Sequence, residues 1–233
     1  MSRAGAPARP GATLRGRTPA WRFTGRADGD LSSPVSGVER AGVERRRRAV
    51  AALPWTWLRQ VHGAEVITVT RPGQGAGTEA DAAVTAVPGA ALAVLTADCA
   101  PVVLTSAEGV VGVAHAGWRG LLAGVLEATV AAMRELGAGP VVAHLGPCIH
   151  AGCYEFGIED LAEVASRVGP AAVGTASSGR PALDLPAAVA ADLSGAGVAL
   201  EREASRCTAC APRRYFTWRG AGDRGRQAGV VWT

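Results

Sequence analysis

The chain has 233 residues, 48% of them hydrophobic and 19% charged, with a formal net charge of +4; that is enough apolar content for a sizeable core in one domain. Every basic residue is an arginine, and the modest excess suits an anionic small substrate, while the interleaved basic and aromatic residues of a nucleic-acid platform are missing. Five cysteines without an even framework argue against a secreted disulfide scaffold, and no apolar run approaches the length of a membrane span, so a cytoplasmic protein is expected.

Residues 1–20, rich in Arg, Pro, Gly and Ala, are expected to be a disordered extension of a single domain over 21–233. A first strand is predicted at 21–24, followed by a loop dense in Gly, Asp, Ser and Pro over 25–37. The pattern over 38–52 reads as a helix, with Arg45, Arg46, Arg47 and Arg48 wrapping most of its circumference and one or two of them turned inward. Strands at 55–60 and 64–70 bracket His62, with Gly63 marking the bend, and 71–78 is a Gly-rich loop. Four short apolar runs at 82–86, 91–96, 102–105 and 110–114 read as closely paired buried strands.

The segment HAGWRG at 115–120 is then a strand-to-helix junction. Gly117 and Gly120 permit a sharp turn, and a helix starting near Arg119 would aim free backbone N–H groups at an anion. Leu121, Leu122, Val125, Leu126, Thr129, Val130 and Met133 give the following helix, 121–136, one apolar stripe, and Gly137 stops it. A strand at 141–145 runs into Gly146-Pro147-Cys148, which places a reactive residue type at a strand end. An amphipathic helix at 158–168, a loop over 169–180, a helix at 184–193 signalled by Asp184 ahead of Pro186, and a strand at 198–203 follow. Segments 214–218 and 227–232 read as a closing hairpin. Strands outnumber helices without alternating regularly with them, which predicts an α+β fold with mixed sheets and flanking helices.

His62, Cys99 and His115 all sit at strand ends, where distant segments converge. Two imidazoles and a thiolate suit zinc with a fourth position open, and such an ion lowers the pKa of bound water towards ~7. Asp81 and Asp98 are candidates to orient a ligand histidine. The same atoms also fit a metal-free nucleophile and base pair, Cys99 with His115, or unrelated core residues. Cys207 and Cys210 have CxxC spacing, but Cys148 and Cys153 are separated by four residues, so these four are expected to pack inertly.

In order along the chain, QVHGAEV (60–66), ADAAVT (80–85), TADCAPV (96–102), AHAGWRG (114–120) and LGPCIHAGCYEFG (145–157) resemble the laccase-domain family. The later LDL (183–185), Cys207-Thr208 and RYFTWRGAGDRGRQAGVVW (214–232) look like its C-terminal pattern, so the resemblance runs from about residue 21 to the end. Members of that family have been called polyphenol oxidases, purine nucleoside phosphorylases and peptidoglycan editing factors. The resemblance implies the family's cytotoxic-necrotizing-factor-like fold. It also implies a zinc site made by His62, Cys99 and His115, phosphorolysis of adenosine, inosine, guanosine and methylthioadenosine, and adenosine deamination. Purine nucleosides and phosphate are then the expected partners, with no nucleic acid or membrane. Arg119 is the leading phosphate contact and Arg46 a second; Gln60 and Cys148 are further candidates for substrate contact. The alternatives are a metal-free cysteine hydrolase acting on cell-wall precursors or amides, and a copper-dependent phenol oxidase. A single His2Cys set does not supply the several coppers that four-electron reduction of oxygen needs. The chain departs from the family pattern in lacking a Ser-Leu-Asn stretch before the first helix, in having Arg45-Arg46 where Asn-Arg is common, and in placing His150 where a glycine follows GPCI.

Overall fold

The computed structural model describes residues 18–32, 37–201 and 206–233. The expected N-terminal extension lies, as far as residue 17, outside the described residues, as do parts of the 25–37 loop and of the strand expected at 198–203.

In chain order the strands and helices are β1 (Ala20–Phe23), α1 (Gly37–Val50), β2 (Trp55–Trp57), β3 (Val66–Thr68), β4 (Ala82–Thr85), β5 (Ala91–Thr96), β6 (Ala100–Ser106) and β7 (Val111–Ala116). They continue with α2 (Trp118–Ala123), α3 (Val125–Glu135), β8 (Val141–Leu145), α4 (Ile158–Val168), β9 (Val173–Thr175) and β10 (Pro181–Leu183). The last are α5 (Leu185–Gly195), β11 (Ala199–Glu201), α6 (Trp218–Ala221) and β12 (Gln227–Trp232). The fold is α+β, with mixed sheets and flanking helices in one domain, as the sequence predicts.

Two sheets face one another. The six-stranded sheet has the order β11-β8-β6-β7-β4-β3 and the four-stranded one β1-β12-β5-β2; both combine parallel and antiparallel pairs. Side chains alternate between faces along each strand. On β6, Val102 and Leu104 pack with Leu121, Leu126 and Met133 of the helical layer, while Val103 packs with Leu92 and Val94 of the opposing sheet. On β5, Ala91, Ala93 and Leu95 turn the other way, against Leu31, Ala51 and Trp55. Gly112 on β7 lets α3 lie close, since a Cβ there would stand 3.1 Å from the Met133 sulfur.

Several expectations change in physical detail. The four apolar runs do not form one sheet: β4, β6 and β7 pair together, whereas β5 lies between β2 and β12 in the other sheet. The chain crosses from β5 to β6 through Asp98, whose φ of 96° is left-handed. The bend after β2 falls on His62, φ 62°, rather than on Gly63. The single helix expected over 121–136 is two, because Gly124 adopts φ 84° and breaks it. The 169–180 loop contains β9, which pairs with β10. No hairpin closes the chain: β12 runs between β1 and β5, and residues 214–217 are a turn and irregular chain leading into α6, which begins at Trp218. The Gln227 side chain replaces the missing strand pairing, accepting from Phe216 N at 2.6 Å and donating to Phe216 O at 3.0 Å. No helix among the described residues is long and apolar enough to cross a membrane.

Candidate metal centre and cavity

Both sheets contribute to one rim. Cys99 lies between β5 and β6, at the crossing from one sheet to the other, and His115 on β7 points to the same face as Val113, towards the seam. His62 arrives on the loop after β2. The ligand atoms of the three residues lie within 4.8 Å of one another, with Cys99 Sγ 3.8 Å from His62 Nε2. His115 is buried, Cys99 half-buried and His62 exposed, so the group opens to solvent on one side.

Asp81 organises two of the three. Its fully buried carboxylate accepts from His115 Nδ1 at 2.8 Å and from the backbone N–H groups of Val61, His62 and Gly63 at 3.0, 3.0 and 2.8 Å. The strained turn at His62 is therefore held by three N–H bonds to one side chain, and His115 is left with Nε2 to coordinate. Asp98, the other candidate orienting residue, does not reach a histidine. Its carboxylate accepts from Thr208 Oγ1 and Arg219 N, both at 2.6 Å, and ties two later segments to the Cys99 turn. Gly117 completes the packing, because a Cβ there would meet His62 Cδ2 at 3.0 Å and Cys99 Sγ at 3.2 Å.

The electrostatics favour a cation. Desolvation pushes the Cys99 thiol up, but His115 and His62 more than offset it and hold it at about 6. Burial likewise lowers His115, while the Cys99 thiolate and Asp81 raise it to about 9. Beside the Cys99 thiolate and the Asp81 carboxylate, the buried His115 imidazole keeps a proton where a metal ion would otherwise supply the positive charge. Tetrahedral zinc with bonds of ~2.0–2.3 Å brings ligand atoms about 3.5 Å apart, against 3.8 Å for Cys99 Sγ and His62 Nε2, and two imidazoles with a thiolate are donors that suit that ion.

The three residues line a cavity of about 650 Å³. Trp118, Tyr154 and Trp218 supply aromatic walls, and Arg119, Arg219 and Arg224 line it as well. Burial first, and then the nearby Cys99, push the Tyr154 phenol up to about 12, which keeps it a neutral hydrogen-bond donor. Gln60 also lines the cavity, but its amide is engaged with β5, donating to Leu95 O at 2.7 Å and accepting from Leu95 N at 2.9 Å.

Two candidate substrate contacts lie elsewhere. Arg46 is not among the described lining residues; its guanidinium donates to Asp30 O at 2.7 Å. Cys148 is fully buried in the helical layer's core, and its neighbour Ile149 reaches the cavity instead. Sequence reasoning missed Arg219 and Arg224 because the C-terminal segment reads as a hairpin. The signal was nonetheless present as the run of arginines in RYFTWRGAGDRGR.

A family model described as multi-copper polyphenol oxidoreductase laccase matches residues 27–233. A Streptomyces coelicolor protein named purine nucleoside phosphorylase is 47% identical over 180 residues, covering 76% of this chain and 74% of that protein. A Deinococcus radiodurans protein of the same name is 39% identical over 225 residues, 90% of this chain and 87% of that one. Among solved structures, a Neisseria meningitidis protein matches with a TM-score of 0.78 at 29% identity, covering 93% of this chain and 90% of its own. YlmD from Geobacillus stearothermophilus matches with a TM-score of 0.75 at 28% identity, covering 87% and 84%.

Proposed function

The chain belongs to the multi-copper polyphenol oxidoreductase laccase family, and we propose that it is a zinc-dependent purine nucleoside phosphorylase that also deaminates adenosine. The observation that carries the reading is the convergence of His62, Cys99 and His115 in one cavity with aromatic walls and arginines. The names of the curated relatives support phosphorolysis.

A zinc ion held by His62, Cys99 and His115 supplies Lewis acidity beside the bound nucleoside. The protein's own groups do the rest. Trp118 and Trp218 offer faces for the purine, and the neutral Tyr154 phenol offers a donor. Arg119, Arg219 and Arg224 hold the phosphate dianion and stabilise charge as the bond to the base breaks. In phosphorolysis a phosphate oxygen bonds to ribose C1′ while the C1′–N9 pair leaves with the purine, which takes up a proton. In deamination water adds at C6 and ammonia departs.

Zinc is preferred to copper because, among the described residues, only one candidate group combines histidine with cysteine. A phenol oxidase needs several coppers to reduce oxygen. Nucleosides and phosphate, with five cysteines outside any disulfide, accord with a cytoplasmic setting.

Incubation with adenosine, with and without phosphate, tests the two activities separately. Adenine and ribose 1-phosphate are expected only with phosphate, and inosine under both conditions. Cys99→Ala is expected to lower both by at least about 100-fold, the order of loss seen when one charge-stabilising group is removed. Zinc-loaded protein giving neither product contradicts the reading.

The line from Asp81 through His115 to Cys99 supports a second reading, a metal-free cysteine hydrolase acting on amides or cell-wall precursors. Alkylation of Cys99 separates the two. Strong protection by zinc favours ligation, and unchanged reactivity favours the hydrolase.

A further inference from the structure

A second group of metal-ligating side chains lies apart from the cavity. Cys153 ends a single 3-10 turn, Ala151–Cys153, and meets Cys207 and Cys210 of the CTAC segment. Their three sulfurs lie within 4.8 Å of one another, and Cys153 Sγ is 3.2 Å from Cys210 Sγ. None of the three lines the cavity, and none is in a disulfide. Sequence reasoning expected these cysteines to pack inertly. Cys148 does so, but the other three converge, because CxxC is completed by one residue from a distant loop rather than by a second pair.

The backbone brings the two segments together independently of the sulfurs. Cys148 and Cys207 form a parallel β-bridge, and Thr208 N donates to Cys148 O at 3.0 Å. His150 N donates to Cys207 Sγ at 3.4 Å, which fixes that sulfur's position beside the loop after β8. Cys207 is buried, Cys153 half-buried and Cys210 exposed, so one side of the group faces solvent. A disulfide would use two sulfurs and leave the third in contact with them. A cation uses all three.

We propose that Cys153, Cys207 and Cys210 bind a thiophilic d10 cation, zinc(II), with a solvent oxygen as fourth ligand. Three thiols bind Zn²⁺ as thiolates and release three protons to solvent, so affinity rises with pH. The ion staples the CTAC segment to the loop after β8. Thr208, between the two CTAC cysteines, donates to Asp98 beside Cys99, so the staple steadies one wall of the catalytic cavity from behind. The inference stands independently of the nucleoside reading.

The test uses full-length, reduced Cys99→Ala protein, which removes the cavity's thiolate ligand, titrated with zinc against a chromophoric chelator. One zinc equivalent is expected, with zinc protecting Cys153 and Cys210 from alkylation. Adding Cys210→Ser, a change at an exposed position that leaves the core untouched, is expected to weaken binding by at least about tenfold. The proposal is overturned if Cys99→Ala protein takes up no zinc, or if Cys210→Ser binds it as tightly. It is equally overturned if a Cys153–Cys210 disulfide forms and its reduction restores no zinc binding.

Discussion

Asp81 carries more of the candidate metal centre than its absence from the proposed ligand set suggests, because its two oxygens accept four hydrogen bonds, from His115 and from three consecutive backbone N–H groups. In Asp81→Asn the amide nitrogen cannot accept, so at least one side of that arrangement is lost. Zinc affinity is expected to fall by about 10–100-fold, measured by competition with a chelator, while the far-ultraviolet spectrum stays native. Gly117→Ala reaches the same centre by crowding: its new methyl would stand 3.0 Å from the His62 ring. A fall in zinc affinity and in phosphorolysis is expected together, and a variant with wild-type affinity would show that His62 moves freely. His62 and Cys99 were legible in the sequence because a histidine at a bend and a cysteine after a strand are local signals. The role of Asp81 was less so, since only the pairing of β4 with β7 places it against His115.

Helices α3, α4 and α5 meet through Glu127, Arg167 and Asp192. Burial, then the neighbouring Glu127, push the Asp192 carboxyl up to about 7. Glu127, by contrast, is held below its ordinary value: burial raises it, but its hydrogen bonds to Arg167 and Asp192, together with the Arg167 charge, outweigh that. The folded protein therefore holds the Asp192 proton between its ordinary value of 3.8 and about 7, where the unfolded chain has released it. That contribution is present at acid pH and is lost as pH rises through about 7. This group's contribution to the melting temperature is expected to fall from about pH 4 to about pH 7 and to level off above it, and Asp192→Asn to flatten that slope. The break between α2 and α3 gives another test. Gly124 is left-handed at φ 84°, so Gly124→Ala should cost about 1 kcal/mol in denaturant unfolding. The apolar stripe across 121–136 was correct as a face, yet it concealed this break, because periodicity survives a single residue of altered twist.

Across the molecule, the strand runs and the α+β class were readable from apolar runs and punctuation, whereas the division into two sheets was not. Which sheet β5 joins is decided by the left-handed turn at Asp98 and by β12, contributed from the far end of the chain. The same long-range pairing explains the error at the C-terminus, where β12 pairs with β1 and β5 and leaves Arg219 and Arg224 free to line the cavity. Arg119, read from its junction as a phosphate contact, lines the cavity, while Arg46 is drawn away by a backbone carbonyl that no sequence pattern announces.

Anomalous diffraction at the zinc edge, from crystals of protein that phosphorolyses adenosine, tests the metal centre most directly. The account predicts a peak bonded to His62, Cys99 and His115, at ~2.3 Å from sulfur and ~2.0–2.1 Å from each nitrogen. Active crystals with no peak between those three residues would contradict it.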